Sequence, residues 1–180
     1  MPARTLHTAG ITGVGMSFPE RCLTNADLEK MVETNDQWIV ERTGIKERRI
    51  CEEGVGTSFH GAIAAEKAMA HAGLKPADID LIIVPTVTPD MLFPATACLI
   101  QEMLGCENAW GYDMEAACSG FVFALQNARA QVETGFARRV LVIGTEVMSS
   151  IVDWTDRNTC ILFGDGAGAV VVERIDPERV

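Results

Sequence analysis

One cysteine stands where a predicted strand meets a predicted helix. Cys118 follows residues 108–114, which have the pattern of a strand, and precedes residues 119–134, which have the pattern of a helix ending at Gly135. A thiol at a helix N-terminus lies at the positive end of the helix dipole, and this position favours the thiolate, the nucleophilic form. Backbone amides of the same turn can stabilise the oxyanion that forms when a thioester is attacked. The spacing indicates a nucleophile, although a structural cysteine at a tight junction would fit it equally well.

The remaining five cysteines have no surroundings that indicate chemistry. Six cysteines could form three disulfides, but disulfide frameworks belong to short secreted chains, and the N-terminus has no hydrophobic signal core. There is no Cys-x-x-Cys spacing and the three histidines are scattered, so the sequence predicts no metal site. We expect most of these thiols to be buried and to behave as small hydrophobic groups. They are Cys22, Cys51, Cys98, Cys106 and Cys160.

A basic segment with an aromatic neighbour is the second candidate feature. Residues 42–49 hold four basic side chains and one acidic one, a local charge of +3 in a chain whose net charge is −10. Guanidinium groups suit phosphates, and Trp38 lies just upstream with a large flat face. This combination would suit an adenine nucleotide. The residues alone equally allow a solvated basic loop, a core tryptophan at position 38 and a surface ion pair at Arg157.

Composition limits the class of protein. The chain has 180 residues, of which 48% are hydrophobic and 22% charged, and this is enough for one folded domain with a core. A net charge of −10 argues against nucleic acid or an anionic membrane as the main partner. No apolar stretch approaches the roughly 20 residues of a membrane helix. We therefore expect a soluble, cytoplasmic protein.

Short apolar runs alternate with amphipathic segments along the chain. Because the runs lack polar alternation, they suit strands that are covered on both faces, and the sequence predicts an α/β fold with a mostly parallel mixed sheet layered with helices. The glycines of residues 164–168 precede a β-branched run, so we predict a turn between two strands there and not a phosphate-binding loop. The predicted strands are residues 11–17, 79–86, 108–114, 139–144 and 169–175.

Several motifs together resemble one family. The segment around Cys118 reads Ala-Ala-Cys-Ser-Gly-Phe, and it is similar to the nucleophile motif of β-ketoacyl-acyl-carrier-protein synthase III, a condensing enzyme of the thiolase fold. The resemblance implies a thiolase-like N-terminal half over residues 1–175, with residues 176–180 beginning a linker to a second half that is absent from this chain. Further segments match in the same order: residues 36–39, 42–49, 93–98, 152–157 and 163–169.

The resemblance also assigns roles to individual residues. It implies that Cys118 carries the acyl group and that Trp38 and Arg157 sandwich the adenine of coenzyme A. Thr34 would form a hydrogen bond with the adenine, and Arg42 would reach a phosphate. Acyl-coenzyme A is then a substrate, and no cofactor or metal is bound permanently.

A second group of implications concerns partners. In the family Phe93 reaches into the acyl pocket of the other subunit, so the resemblance implies a homodimer. It also implies condensation with malonyl-acyl-carrier protein at the start of fatty acid synthesis, using a histidine and an asparagine that the second half provides. Two alternatives stay open: a starter-unit acyltransferase of polyketide metabolism, and a non-catalytic half-domain subunit that pairs with a separate chain.

Overall fold

The computed structural model describes residues 6–176, so residues 177–180 of the predicted linker lie outside the described part. All five predicted strands are present, and their ends differ from the prediction by up to four residues. Two short strands that the sequence did not predict form a separate antiparallel pair. The strands are β1 (Thr8–Ser17), β2 (Cys22–Thr24), β3 (Glu47–Arg49), β4 (Leu81–Pro85), β5 (Trp110–Met114), β6 (Arg139–Val147) and β7 (Asp165–Ile175).

The main sheet has five strands in the order β1-β7-β6-β4-β5. Strand β4 pairs in parallel with both β5 and β6, whereas β7 pairs antiparallel with β6 and β1. The sheet is therefore mixed, and its parallel part consists of the three strands nearest to Cys118. Because β5, β4 and β6 run in the same direction, the loops that follow them meet at one edge of the sheet.

Helices cover both faces of this sheet. The helices are α1 (Asn25–Leu28), α2 (Asp36–Thr43), α3 (Thr57–Ala72), α4 (Thr96–Leu104) and α5 (Gly120–Glu133), and of these α1 and α2 pack in a separate cluster around Leu28 and Ile39. Helices α3 and α4 pack with Ile82 and Val84 on one face, while α5 packs with Leu81 and Ile83 on the other. Successive β4 side chains thus alternate between two cores, which confirms the prediction of a strand covered on both sides. Within residues 6–176 no helix has the length and apolar character needed to cross a bilayer.

The turn predicted for residues 164–168 is wrong. Asp165 already belongs to β7, where it pairs with Val147 of β6, and Ala167 lies between Thr145 of β6 and Ser17 of β1. Backbone hydrogen bonds to strands on both sides thus extend this segment, although its glycines alone would favour a turn. The phosphate-loop alternative is excluded by the same pairing.

Candidate active site

Cys118 lies in a tight turn between β5 and α5. The turn is a single 3₁₀ turn over Ala117–Ser119, and the helix begins at Gly120, one residue later than predicted. Ala117 has φ of 45°, a left-handed conformation that is unfavourable for any residue with a Cβ atom. A Cβ at Gly120 would lie 3.0 Å from Cβ of Pro85, so glycine allows α5 to start against the end of β4. These constraints present the Cys118 side chain at the exposed end of the turn.

An apolar cavity of about 450 Å³ opens beside Cys118. Its size is within the range of about 300–1,000 Å³ that is typical of small-molecule sites. Phe163 lines it, so the segment that begins the glycine-rich stretch borders the candidate nucleophile. The lining residues are Pro85, Val87, Ala117, Cys118, Phe121, Gly144, Thr145, Glu146, Met148 and Phe163.

Glu146 is a cavity residue that the sequence reasoning missed. Its carboxylate accepts hydrogen bonds from the backbone amides of Val87 and Thr88, at 2.9 and 3.0 Å, and from the Thr86 hydroxyl at 3.0 Å. The Thr88 hydroxyl also donates to it. Glu146 thereby holds the loop after β4 against the end of β6, on one wall of the cavity. An acidic residue in an otherwise apolar strand was the signal that could have found it.

No histidine lines this cavity among the residues that the structure describes. The His60 ring is buried, and its Nδ1 lies 2.8 Å from the Ser17 hydroxyl; burial lowers the pKa of His60. His71 contacts the backbone of Val14 on β1. These contacts support structural roles for both histidines.

The cysteines differ sharply in their surroundings. Cys118 and Cys98 are exposed, Cys22 is half-buried and the other three are buried. Burial, and then the nearby Asp165 carboxylate, raises the pKa of Cys51 to about 12. Burial alone raises the pKa of Cys106 to about 11. These buried thiols stay protonated at neutral pH. Cys98 is exposed, as Cys118 is, so it is the natural comparison for Cys118 in labelling experiments.

Trp38 lies among the cationic side chains that the resemblance assigns to coenzyme A. Asn35 caps α2 by accepting a hydrogen bond from the Trp38 amide at 2.8 Å, and Arg42 follows one turn later on the same helix. The Arg42 guanidinium carbon lies 4.1 Å from the centroid of the Trp38 ring, and that of Arg157 lies 4.7 Å from it. Both distances are in the range of cation–π contacts. The structure therefore brings Arg157 to Trp38 and Arg42, from which it is distant in the sequence.

Local hydrogen bonds shape the loop that carries Arg157. The Asp153 carboxylate accepts from the amide and the hydroxyl of Thr155, at 2.9 and 2.7 Å. The Asp156 carboxylate accepts from the Asn158 amide at 3.0 Å and from the Thr159 hydroxyl at 2.8 Å. These bonds lower the pKa of both carboxyl groups, and the largest contributions come from the Thr155 hydroxyl at Asp153 and the Asn158 amide at Asp156. Turns of this kind fix the backbone on either side of Arg157.

The other two predicted site residues do not line the Cys118 cavity. The Thr34 Oγ1 atom is buried and forms no hydrogen bond within the described residues. Phe93 is 87% exposed and does not line the Cys118 cavity of its own chain. Its neighbour Leu92 is fully exposed as well. The Phe93 ring belongs to none of the three packed cores within the described residues.

The basic segment 42–49 is not one phosphate-binding patch. Arg48 is buried and donates to the Ile161 carbonyl oxygen and to the Asn25 side chain, at 3.0 and 2.8 Å. Arg49 donates to the Glu20 carbonyl oxygen and lies over the Phe18 ring. These two arginines tie loops together, because each donates to a backbone carbonyl oxygen of another segment. Within the segment, only Arg42 approaches Trp38.

Asp165 holds Ser149 in place, at the start of the segment that leads to Arg157. Its carboxylate is 7% exposed and accepts from the Cys51 amide at 2.7 Å, and from the amide and hydroxyl of Ser149 at 2.8 and 2.6 Å. The Ser149 carbonyl oxygen in turn accepts from Trp154 Nε1 at 3.3 Å. Asp165 thus joins β7 to two loops that lie beside the candidate site.

We expect Asp165→Asn to lower the free energy of unfolding by about 2 kcal/mol, because an amide has one accepting oxygen where the carboxylate has two. Urea unfolding followed by circular dichroism measures the change. Glu107→Gln removes an exposed carboxylate and should change stability by less than about 0.5 kcal/mol. Equal stability of the two variants would show that Asp165 does not hold these loops.

Solved structures identify the fold. The 3-oxoacyl-[acyl-carrier-protein] synthase III of Aquifex aeolicus superposes with a TM-score of 0.91 at 50% identity, over 93% of this chain and 54% of that one. The priming β-ketosynthase of a polyketide biosynthetic pathway gives 0.93 at 40% identity, over 98% and 53%. The class defined by the layered mixed sheet is therefore that of the thiolase-like condensing enzymes.

Sequence comparisons identify the family. The family described as 3-oxoacyl-[acyl-carrier-protein (ACP)] synthase III matches residues 112–180, which include Cys118. The β-ketoacyl-[acyl-carrier-protein] synthase III of Caldanaerobacter subterraneus subsp. tengcongensis is 56% identical over 168 residues, or 93% of this chain and 51% of that protein. That of Natranaerobius thermophilus is 54% identical over 171 residues, or 95% and 52%. The chain belongs to this family, and it spans about half the length of the curated relatives it matches.

Proposed function

We propose that Cys118 accepts an acyl group from acyl-coenzyme A. Cys118 gives up its proton, the thiolate attacks the thioester carbonyl to form a new thioester, and the bond to coenzyme A breaks; coenzyme A leaves as a thiolate, which takes up a proton to become the thiol. The observation that supports this step is the exposed Cys118 thiol beside an apolar cavity of about 450 Å³. Phe121, Met148 and Phe163 give the acyl chain an apolar environment.

Trp38 provides the binding surface for the adenine of coenzyme A. Arg157 stacks on the other face of the adenine, and Arg42 lies within reach of a phosphate. Stacking an adenine between the indole and the Arg157 guanidinium needs two contacts of about 3.5 Å each, or about 7 Å in total. The observed separation is 4.7 Å, so the Arg157 side chain must move away by roughly 2 Å when coenzyme A binds. The resemblance assigns the hydrogen bond with the adenine to Thr34, whose hydroxyl has no partner within the described residues.

We expect Trp38→Ala to weaken coenzyme A binding about tenfold or more, since stacking of a base on an aromatic ring is worth about 1–3 kcal/mol. Isothermal titration calorimetry with coenzyme A measures the dissociation constant. Trp110→Ala is the matched control, because Trp110 is a partly exposed tryptophan on β5. An unchanged affinity in Trp38→Ala would remove Trp38 from the proposed site.

The second chemical step is condensation with malonyl-acyl-carrier protein. Decarboxylation of the malonyl group releases carbon dioxide and leaves a carbanion, which attacks the Cys118 thioester; the product is a β-ketoacyl-carrier protein and the cysteine is freed. The family resemblance assigns this step a histidine and an asparagine outside these 180 residues. The absence of histidine from the lining of the Cys118 cavity, within residues 6–176, supports that division.

Exposed apolar side chains support a second half that packs on the α5 side of the sheet. Gly13 and Gly15 face α3, so Val14 and Met16 point toward the opposite face, and both are more than half exposed. Phe123 on α5 is also about half exposed. Apolar surface of this kind commonly marks an interface. The exposed Phe93 supports a homodimer in which this ring enters the partner's acyl pocket.

The chain itself allows both steps to be tested. Incubation with radioactive acetyl-coenzyme A should label the protein with up to one acyl group per chain. Addition of malonyl-acyl-carrier protein should give no β-ketoacyl product from the 180 residues alone. Absence of label would refute acyl transfer, and condensation by the chain without a partner would refute the division of the chemistry between two halves.

A starter-unit enzyme of polyketide metabolism is the second candidate. It is supported by the similarity to a priming β-ketosynthase at 40% identity and a TM-score of 0.93. Both candidates use Cys118, so a panel of acyl-coenzyme A donors and carrier proteins discriminates them. A non-catalytic subunit paired with a separate chain would instead give a stable heteromeric species in native mass spectrometry and no acyl label.

A further inference from the structure

A second cavity lies at the opposite end of the sheet from Cys118. Its volume is about 460 Å³, and its walls include His7, Arg138, Arg139 and Arg174, with Glu173 as the acidic residue among them. Arg139 begins β6, whereas Glu146 borders the Cys118 cavity seven residues further along the same strand. At about 3.3 Å per residue the two cavities are separated by about 23 Å. The basic cavity is therefore distinct from the proposed acyl-transfer site.

Two of the three arginines that line this cavity have no ion-pair partner among the described residues. Arg139 forms ion pairs with Glu173 at 3.0 Å and with Asp78 at 3.8 Å. The nearby Asp80 carboxylate accepts hydrogen bonds from the backbone amides of Arg138 and Arg139, at 2.7 and 2.9 Å, and forms no ion pair with either guanidinium group within the described residues. Arg138 and Arg174 form no ion pair in the part of the chain that the structure describes.

The backbone places these two arginines side by side. Arg139 is paired with Glu173 across β6 and β7, and one step further the Arg174 amide donates to the Arg138 carbonyl oxygen at 3.4 Å. Like charges at directly opposed positions of two strands repel each other. A bound anion would remove this repulsion and would take two guanidinium groups as ligands.

His7 adds a further polar group, and its place in the fold is fixed. Its amide donates to the Glu133 carbonyl oxygen at the end of α5, at 2.9 Å. Gly135 has φ of 74°, and a Cβ at this position would lie 3.2 Å from His7 Nε2. Glycine at position 135 therefore both ends the helix and leaves room for the imidazole ring at the cavity wall.

We infer that this cavity binds a small phosphate-bearing anion. Guanidinium groups match phosphate in charge and in donor geometry, and Arg138 and Arg174 provide two of them; the acidic wall residue, Glu173, pairs with Arg139 instead. The volume exceeds what a bare ion needs and falls in the range of small-molecule sites of about 300–1,000 Å³. The site thus suits free phosphate or the phosphate group of a small ester.

Isothermal titration calorimetry at constant ionic strength tests this inference, with inorganic phosphate and glycerol 3-phosphate as the two probes. We expect saturable binding to the chain and at least about tenfold weaker binding to Arg138→Gln/Arg174→Gln. A tighter complex with glycerol 3-phosphate assigns the cavity to phosphate esters, and equal affinities assign it to free phosphate. Both results support the inference.

The control is Lys30→Gln/Arg129→Gln, which also removes two exposed positive charges but leaves the cavity intact. Its affinity should equal that of the parent chain. Thermal unfolding without ligand confirms that both double variants fold. The inference is overturned by the absence of saturable binding, by equal affinity in Arg138→Gln/Arg174→Gln, or by an equal loss in the control.

Discussion

Replacing Cys118 with alanine is expected to abolish acylation by acetyl-coenzyme A, with a residual rate at least about 10³-fold below that of the parent chain. Alanine keeps the size of the turn and removes only the sulfur. Removal of the sulfur should leave the fold unchanged, because the side chain at position 118 is exposed and belongs to none of the three cores of the described residues. Incorporation of a radioactive acetyl group measures the effect.

Cys98→Ala is the matched control, because Cys98 is the other exposed thiol. It should retain full labelling, and its circular dichroism spectrum should match those of the parent and of Cys118→Ala. If the two variants lost label equally, the reaction would be non-specific thiol modification. Full labelling of Cys118→Ala would remove Cys118 from the reaction.

The second large effect concerns the contact between β1 and α3. We expect Gly15→Ala to lower the free energy of unfolding by about 3 kcal/mol, near the upper end for overpacking. A Cβ at Gly15 would overlap the Ala64 carbonyl oxygen and would lie 2.6 Å from the Ala68 nitrogen. Both are backbone atoms of α3, so the whole helix would have to shift. Urea unfolding of the variant measures the loss.

Gly168→Ala provides the comparison for this prediction. Gly168 is also a strand glycine, but a Cβ there has no heavy atom within 4 Å. The substitution should be neutral or should stabilise the protein by up to about 1 kcal/mol, because glycine in a strand loses more conformational entropy than alanine. A small effect at Gly15, similar to that at Gly168, would contradict the observed packing of α3 on β1.

Features coded by neighbouring residues could be predicted from the sequence. The apolar run of β4 predicts a strand buried on both faces, and the small residues around Cys118 predict a tight junction before α5. Both expectations are confirmed in the structure, apart from shifts of a few residues at the ends. Such patterns are local, so they need no knowledge of the partners in the fold.

Features that depend on distant partners could not be predicted in this way. Residues 165–168 are extended because β6 and β1 flank them, although their glycines favour a turn. Arg48 is buried because the Ile161 carbonyl oxygen lies against it, 113 positions away in the sequence. Glu146 joins the Cys118 cavity only through the packing of β6 beside β4. In each case the contact that determines the position of the residue joins segments that are distant in the sequence, so a local pattern does not reveal it.

The location of the acyl group on the unaltered chain tests the central claim most directly. After incubation with acetyl-coenzyme A and digestion at low pH, tandem mass spectrometry identifies the modified residue. We predict one thioester, on the peptide that contains Cys118, and no acetyl group at Cys98. An acetyl group on any other residue, with Cys118 unmodified, would contradict the assignment of Cys118 as the acyl-carrying nucleophile.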